Sequence, residues 1–108
     1  MADVVYVGEQ AFTLGETRQV AIQLERADYS SFTPGGPSAG LPTVTFRDST
    51  GVVALGPVAC WVTTGVHPEA GYIWTPAAAG SFEALFIVVD QGETLYFKVS
   101  TPVNPVWP

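Results

Sequence analysis

Hydrophobic and polar residues alternate along much of this chain with a period of two, which places successive side chains on opposite faces of a β-strand. In the run from Thr17 to Arg26, the side chains of Val20, Ile22 and Leu24 share one face. The run from Ser81 to Asp90 is apolar on both faces and is therefore predicted to be a central strand. The pattern favours strands over helices.

Glycine and proline, 11 and 9 residues respectively, divide the chain into short runs rich in β-branched and aromatic side chains. The predicted strands run from Asp3 to Val7, Thr17 to Arg26, Thr43 to Arg47, Val52 to Leu55, Val58 to Thr64, Gly71 to Thr75, Ser81 to Asp90 and Leu95 to Val99. Gln91-Gly92-Glu93 predicts a tight hairpin. About seven or eight strands without intervening helices predict an all-β, antiparallel two-sheet sandwich.

Two segments lack this alternation. Ala27 to Pro42 is predicted to be a long loop, and the three prolines of Thr101 to Pro108 predict an extended arm that packs on its own sheet or on a neighbour's. The large apolar side chains in these segments are Tyr29, Phe32, Leu41, Val103, Val106 and Trp107. The predicted organisation is therefore a sandwich domain of residues 1–100, including the loop 27–42, followed by an arm of residues 101–108.

Charged residues form 13% of the chain, about half the share in a typical soluble domain. The net charge is −6, and the four basic residues are scattered along the chain. Nucleic acid and anionic membranes attract clusters of Lys and Arg, so neither is an expected partner. The low charge fits either a β-rich surface of uncharged polar residues or a subunit partly covered by other proteins, and the apolar loop and tail favour the second interpretation.

The chain carries few groups suited to catalysis or metal binding. His67 is the only histidine and Cys60 the only cysteine, and Cys60 falls in an apolar run whereas His67 falls in a loop. A nucleophile–base pair and a zinc site both need more than this inventory. We expect no enzyme activity and no cofactor.

Three aromatic residues offer one alternative function. Trp61, Tyr72 and Trp74 could form a flat platform for stacking sugars, in a carbohydrate-binding or cell-surface-binding sandwich module. They could equally belong to the core, because a Trp on a middle strand commonly fills the space between two sheets. The sequence leaves both interpretations open.

The stretch from Thr43 to Val99 resembles small immunoglobulin-like domains. Val44 to Gly51 is a strand that ends in an Asp-x-x-Gly turn, and Gly71 to Phe82 is an aromatic strand that ends in Thr-Pro and is followed by an Ala-Gly corner. Phe97 to Val99 belongs to the last hairpin. Domains of this pattern and size are frequent among structural proteins of tailed bacteriophages, as decoration, neck or tail accessory subunits.

This resemblance implies an immunoglobulin-like fold and a structural role in a virus particle, made in the host cytoplasm and bound to other virion proteins and to copies of itself. The start Met1-Ala2-Asp3 lacks the basic and apolar segments of an export signal, which agrees with that expectation. The residues expected to contact partners are Val5, Tyr6, Tyr29, Phe32, Val103, Val106 and Trp107.

Overall fold

The computed structural model describes residues 2–6, 10–34 and 41–105, with the backbone alone for residues 2–6. Ten strands lie in these ranges, and no helix there is long and apolar enough to cross a bilayer. The strands are β1 (Ala2–Tyr6), β2 (Phe12–Thr13), β3 (Arg18–Arg26), β4 (Thr43–Asp48), β5 (Val53–Ala59), β6 (Trp61–Val62), β7 (Glu69–Trp74), β8 (Phe82–Asp90), β9 (Glu93–Ser100) and β10 (Val103–Asn104).

Two four-stranded antiparallel sheets form the body of the domain. One sheet has the order β1-β3-β7-β6 and the other β5-β4-β8-β9, while β2 and β10 form a short parallel pair at one end. The predicted all-β, two-sheet sandwich is confirmed. The β8–β9 hairpin turns through Gln91 and Gly92, both at positive φ, which is the geometry of a two-residue turn that matches strand twist.

The core lies between the inner faces of the two sheets. On β3, β4 and β8 alternate residues are buried, as their period of two predicts, and the buried apolar residues form one cluster. Trp74 of β7 is 4% exposed and stacks on Phe46 of β4, with ring centroids 4.2 Å apart. The edges of Phe12 and Phe82 meet the same indole at centroid distances of 5.1 and 5.8 Å.

The segment from β5 to β6 passes from one sheet to the other. The sequence places a break at Gly56-Pro57, but β5 continues through this cis peptide with an irregular register against β4. The change of sheet comes instead at Cys60, whose amide donates to the carbonyl of Pro42 at 2.8 Å. Cys60 is buried, so the inward–outward alternation of this segment survives the change of sheet.

The first four residues of the predicted arm belong to the domain itself. Phe12 and Leu14 donate backbone hydrogen bonds to the carbonyls of Pro102 and Asn104, and Val103 exchanges two with Gly80. Thr101 is also buried. Of the two alternatives for this segment, packing on its own sheets holds for residues 101–104.

An ion pair joins the two sheets at the opposite end of the sandwich. Arg26, at the end of β3, donates two hydrogen bonds to the carboxylate of Asp90 at the end of β8, at 2.6 and 3.1 Å. The same guanidinium lies 4.4 Å from the ring centroid of Phe32, in the loop that follows β3. One bidentate contact between the buried Asp90 and the half-buried Arg26 therefore closes this end and holds the first part of the long loop.

We predict that Trp74→Ala lowers the free energy of unfolding by about 3–5 kcal/mol, because it removes the largest side chain between the sheets. Ile73→Ala, at the exposed neighbouring position, is the matched control and should cost less than about 1 kcal/mol. Urea unfolding followed by circular dichroism measures both. Equal losses in the two variants would contradict a central role for Trp74.

We predict that Asp90→Ala lowers the free energy of unfolding by about 2 kcal/mol, because the half-buried Arg26 guanidinium loses its charged partner. The control is the more exposed ion pair in which Arg47 Nη2 lies 2.5 Å from Glu83 Oε1. Glu83→Ala should lower the free energy of unfolding by less than about 1 kcal/mol. A double-mutant cycle of Arg26→Ala with Asp90→Ala should show strong coupling. Additive losses would show that the contact contributes little.

Candidate functional site

The outer face of the β5-β4-β8-β9 sheet carries an apolar stripe, which we define as Leu85, Ile87, Val89 and Tyr96. On β8 the residues between these positions are buried in the core, so Leu85, Ile87 and Val89 point away from it. Each of the three is only half-buried. No other layer covers this face within the described ranges, and three aliphatic side chains in a row on such a surface indicate a contact site.

Tyr96 extends the stripe toward the edge of the sheet. It lies opposite Ile87 in the β8–β9 register and is 64% exposed. On the other side of β8, Thr43 lies opposite Ile87 and Thr45 lies opposite Leu85, which gives the stripe a hydroxyl border. A tyrosine beside aliphatic residues with a polar rim is the composition common in protein–protein interfaces.

A charged groove lies at one end of the stripe. It has a volume of about 660 Å³ and runs between the turn after β4 and the adjoining ends of β8 and β9. Arg47 and Glu83 form an ion pair beside it, and Lys98 lines it from β9. The groove is open to solvent and carries charges of both signs, which suits the polar edge of a protein contact better than a small enclosed ligand.

The turn beside this groove is held by Asp48. Its carboxylate accepts hydrogen bonds from the amides of Thr50 and Val52 and from the Thr50 hydroxyl, at 2.6–3.0 Å. These bonds, the hydroxyl bond first, lower the pKa of Asp48. Gly51 has a φ of 88°, so the turn requires glycine there, as the Asp-x-x-Gly pattern predicts.

The residues expected to contact partners lie in different environments. Tyr29 is exposed. Phe32 and Val103 are 6% and 3% exposed, so the expectation that they face a partner is wrong: Phe32 lies beneath Arg26, and Val103 is fixed between β2 and Gly80. The side chains of Val5 and Tyr6, together with Val106 and Trp107, lie outside the described residues.

The aromatic platform predicted from Trp61, Tyr72 and Trp74 does not form. Trp74 is in the core, and Tyr72 points inward, with its ring 6.2 Å from that of Phe46. Trp61 lies on the outer face of the other sheet, where its ring covers Gly71 so closely that a Cβ there would lie 2.5 Å from it. Strand alternation therefore places the three rings on two different faces.

His67 and Cys60, the two residues considered for catalysis, lie in different environments. His67 is at the surface, with Nδ1 3.0 Å from a carboxylate oxygen of Glu25. Cys60 is buried, and burial raises the pKa of its thiol to about 12. Within the described residues there is no group of three or more His, Cys, Asp or Glu side chains that could hold a metal ion.

Comparisons with known proteins give the fold. The chain is similar to PapD-like domain 7 of human CEP192, an ASH/PapD-like domain, with 17% identity and a TM-score of 0.50 over 98% of this chain and 87% of that chain. Titin M4 matches with 8% identity and a TM-score of 0.45, over 95% of both chains. The sequence matches no protein-family model and no curated protein. The chain has an immunoglobulin-like β-sandwich fold.

The sequence contained one indication of the stripe. The run from Ser81 to Asp90 is apolar on both faces, and this feature predicts a central strand. β8 is central within its sheet, but one side of that sheet has no covering layer in the described ranges. Leu85, Ile87 and Val89 are therefore the surface residues that sequence reasoning missed.

We predict that Cys60 is unreactive toward a thiol reagent at pH 8 in the folded protein. With the thiol pKa raised from 9.0 to about 12, the thiolate fraction falls about a thousandfold. The raised pKa also implies a contribution to stability that is complete below pH 9.0 and is lost as the pH rises toward about 12. Ellman's reagent, with and without guanidinium, measures the reactivity. Equal rates in both conditions would contradict the burial.

Proposed function

We propose that this chain is a structural protein-binding subunit that attaches to a larger assembly through its apolar stripe. The observation that carries the proposal is the row Leu85, Ile87 and Val89 on a sheet face that no described segment covers. Side chains of this kind gain free energy when a partner removes them from water, at about 25 cal/mol for each Å² buried. Tyr96 and the charged groove supply a rigid anchor and a polar border.

Among assemblies of this kind, we propose a particle of a tailed bacteriophage, in which the chain is a decoration, neck or tail accessory subunit. The support is the resemblance carried by Val44 to Gly51 and Gly71 to Phe82, together with the low charge of the chain. In a symmetric particle each contact can be weak, because neighbouring contacts raise the effective concentration of the next. The proposed partners are virion structural proteins and copies of the chain itself.

We predict that the double variant Leu85→Thr, Ile87→Thr reduces the amount of this protein in purified particles by tenfold or more, which corresponds to about 1.4 kcal/mol of binding free energy. Thr retains the strand preference of a β-branched residue while removing apolar area from the face. Quantitative mass spectrometry of particles assembled with each variant measures the effect.

Ile73→Thr is the matched control, because Ile73 is exposed on the outer face of the other sheet. It should leave the amount per particle unchanged. Normal incorporation of the double variant would contradict the role of the stripe, and absence of the wild-type protein from purified particles would contradict the virion role.

A further inference from the structure

The outer edge of β9 differs from the other three sheet edges. β1 has a register irregularity at Val4–Tyr6, β5 contains Pro57 and pairs with β4 in an irregular register, and β6 is only two residues long. Features of these kinds protect edges from pairing with other chains. β9 pairs with β8 without irregularity from Glu93 to Ser100, which leaves a straight and regular edge.

The hydrogen-bond pattern identifies which backbone groups face this edge. The amide of Thr101 donates to the carbonyl of Phe82, so the residues of β9 at odd positions bond to β8. The backbone groups of the residues at even positions point away from β8. The carbonyl of Ser100 agrees with this pattern, because it accepts a hydrogen bond from the amide of Gln10 at 2.9 Å. The amides and carbonyls of Thr94, Tyr96 and Lys98 therefore face the edge.

No described residue occupies that part of the edge. Gln10, Phe12 and Leu14 bond to residues 100, 102 and 104, which lie beyond it, and β8 is the one strand that pairs with β9 among residues 2–6, 10–34 and 41–105. Within the described ranges, the segment from Thr94 to Lys98 has no partner on this side, and it carries three outward amides and three outward carbonyls. Such a segment is a template for an added strand.

We propose that a second copy of this chain pairs with the segment Thr94–Lys98, antiparallel and about a two-fold axis at Tyr96. In this register Tyr96 faces Tyr96 of the other copy, and Thr94 faces Lys98 in both directions. About six backbone hydrogen bonds form, and the pairing ends before Ser100, which Gln10 already occupies. The segment is thus complementary to itself in both length and hydrogen bonding.

The charges favour this register over a parallel one. Lys98 is the one charged residue of the segment, and the antiparallel register sets it opposite the hydroxyl of Thr94. A parallel in-register pair would bring the two Lys98 side chains together, which is unfavourable. The antiparallel pair also places both outer faces on the same side of one eight-stranded sheet, with the two apolar stripes flanking the tyrosine pair.

This inference rests on the proposed function, because both take the outer face as an assembly surface. It adds a second copy of the chain as the partner at the adjoining edge. We expect the full chain to form dimers with a dissociation constant on the order of 100 μM, as is typical of a small interface. Sedimentation velocity from about 5 to 500 μM should follow this equilibrium. A protein that remains monomeric over this range would overturn the proposal.

The decisive variant is Tyr96→Pro, which removes the outward amide and leaves the bonds between β8 and β9 intact. Tyr96→Thr is its matched control, because it also loses the ring but keeps the amide. We expect Tyr96→Pro to be monomeric and Tyr96→Thr to dimerise with at most about a tenfold weaker affinity. Equal association of the two variants would show that the edge backbone makes no contact.

Amide hydrogen exchange of the wild-type protein tests the same register without a substitution. At high concentration the amides of Thr94, Tyr96 and Lys98 should be protected, and on dilution they should exchange freely while Leu95 and Phe97 stay protected. A dimer whose protection falls elsewhere would overturn the proposal. The Leu85→Thr, Ile87→Thr variant keeps the edge amides and should still dimerise, so loss of particle binding and loss of pairing are separate results.

Discussion

The stacking of Trp74 on Phe46 is the contact on which the rest of the domain depends. It joins β7 of one sheet to β4 of the other, and the rings of Phe12 and Phe82 meet the same indole from β2 and β8. Three other strands therefore contact the one indole that β7 carries. Small immunoglobulin-like domains often rely on a disulfide between the sheets, but this chain has a single cysteine, so aromatic packing must hold the sheets together.

Both ends of the sandwich are closed by contacts distant in sequence, and this closure determines which surfaces remain available. At one end, β2 and β10 pair and bury Val103. At the other, Arg26 holds Asp90 and covers Phe32, which removes that ring from the surface. Apolar residues that look unpaired in the sequence are thus used internally. A row of half-buried aliphatic side chains remains on the outer face of the β5-β4-β8-β9 sheet, beside the regular edge of β9.

A face and an edge that adjoin each other give this domain the geometry of an assembly unit. Burial of the apolar stripe contributes binding free energy but does not fix the orientation of a partner. The backbone hydrogen bonds of the β9 edge specify the direction and register of an added strand. Tyr96 belongs to both, since its side chain lies on the face and its backbone lies on the edge. The low charge is consistent with such a unit, because fewer charged groups must lose water when neighbouring proteins cover it.

The fold class follows from the sequence alone, because period-two alternation and turn residues act locally. Val20, Ile22 and Leu24 are buried as the pattern requires, and the Asp48 turn and the Gln91–Gly92 hairpin form where predicted.

The surroundings of each strand face depend on which sheet the strand joins, and only the tertiary fold shows this. Alternation predicts that Trp61 lies on the strand face opposite to its neighbours Cys60 and Val62, but it does not predict that this strand joins the sheet of β7. It also does not predict that one side of β8 lacks a covering layer in the described ranges. Burial of Phe32 and Val103 depends on partners far along the chain. Partial exposure of Leu85, Ile87 and Val89 depends on the lack of a covering layer among the described residues. Local pattern specifies the faces of a strand, whereas the contacts between distant segments specify what each face meets.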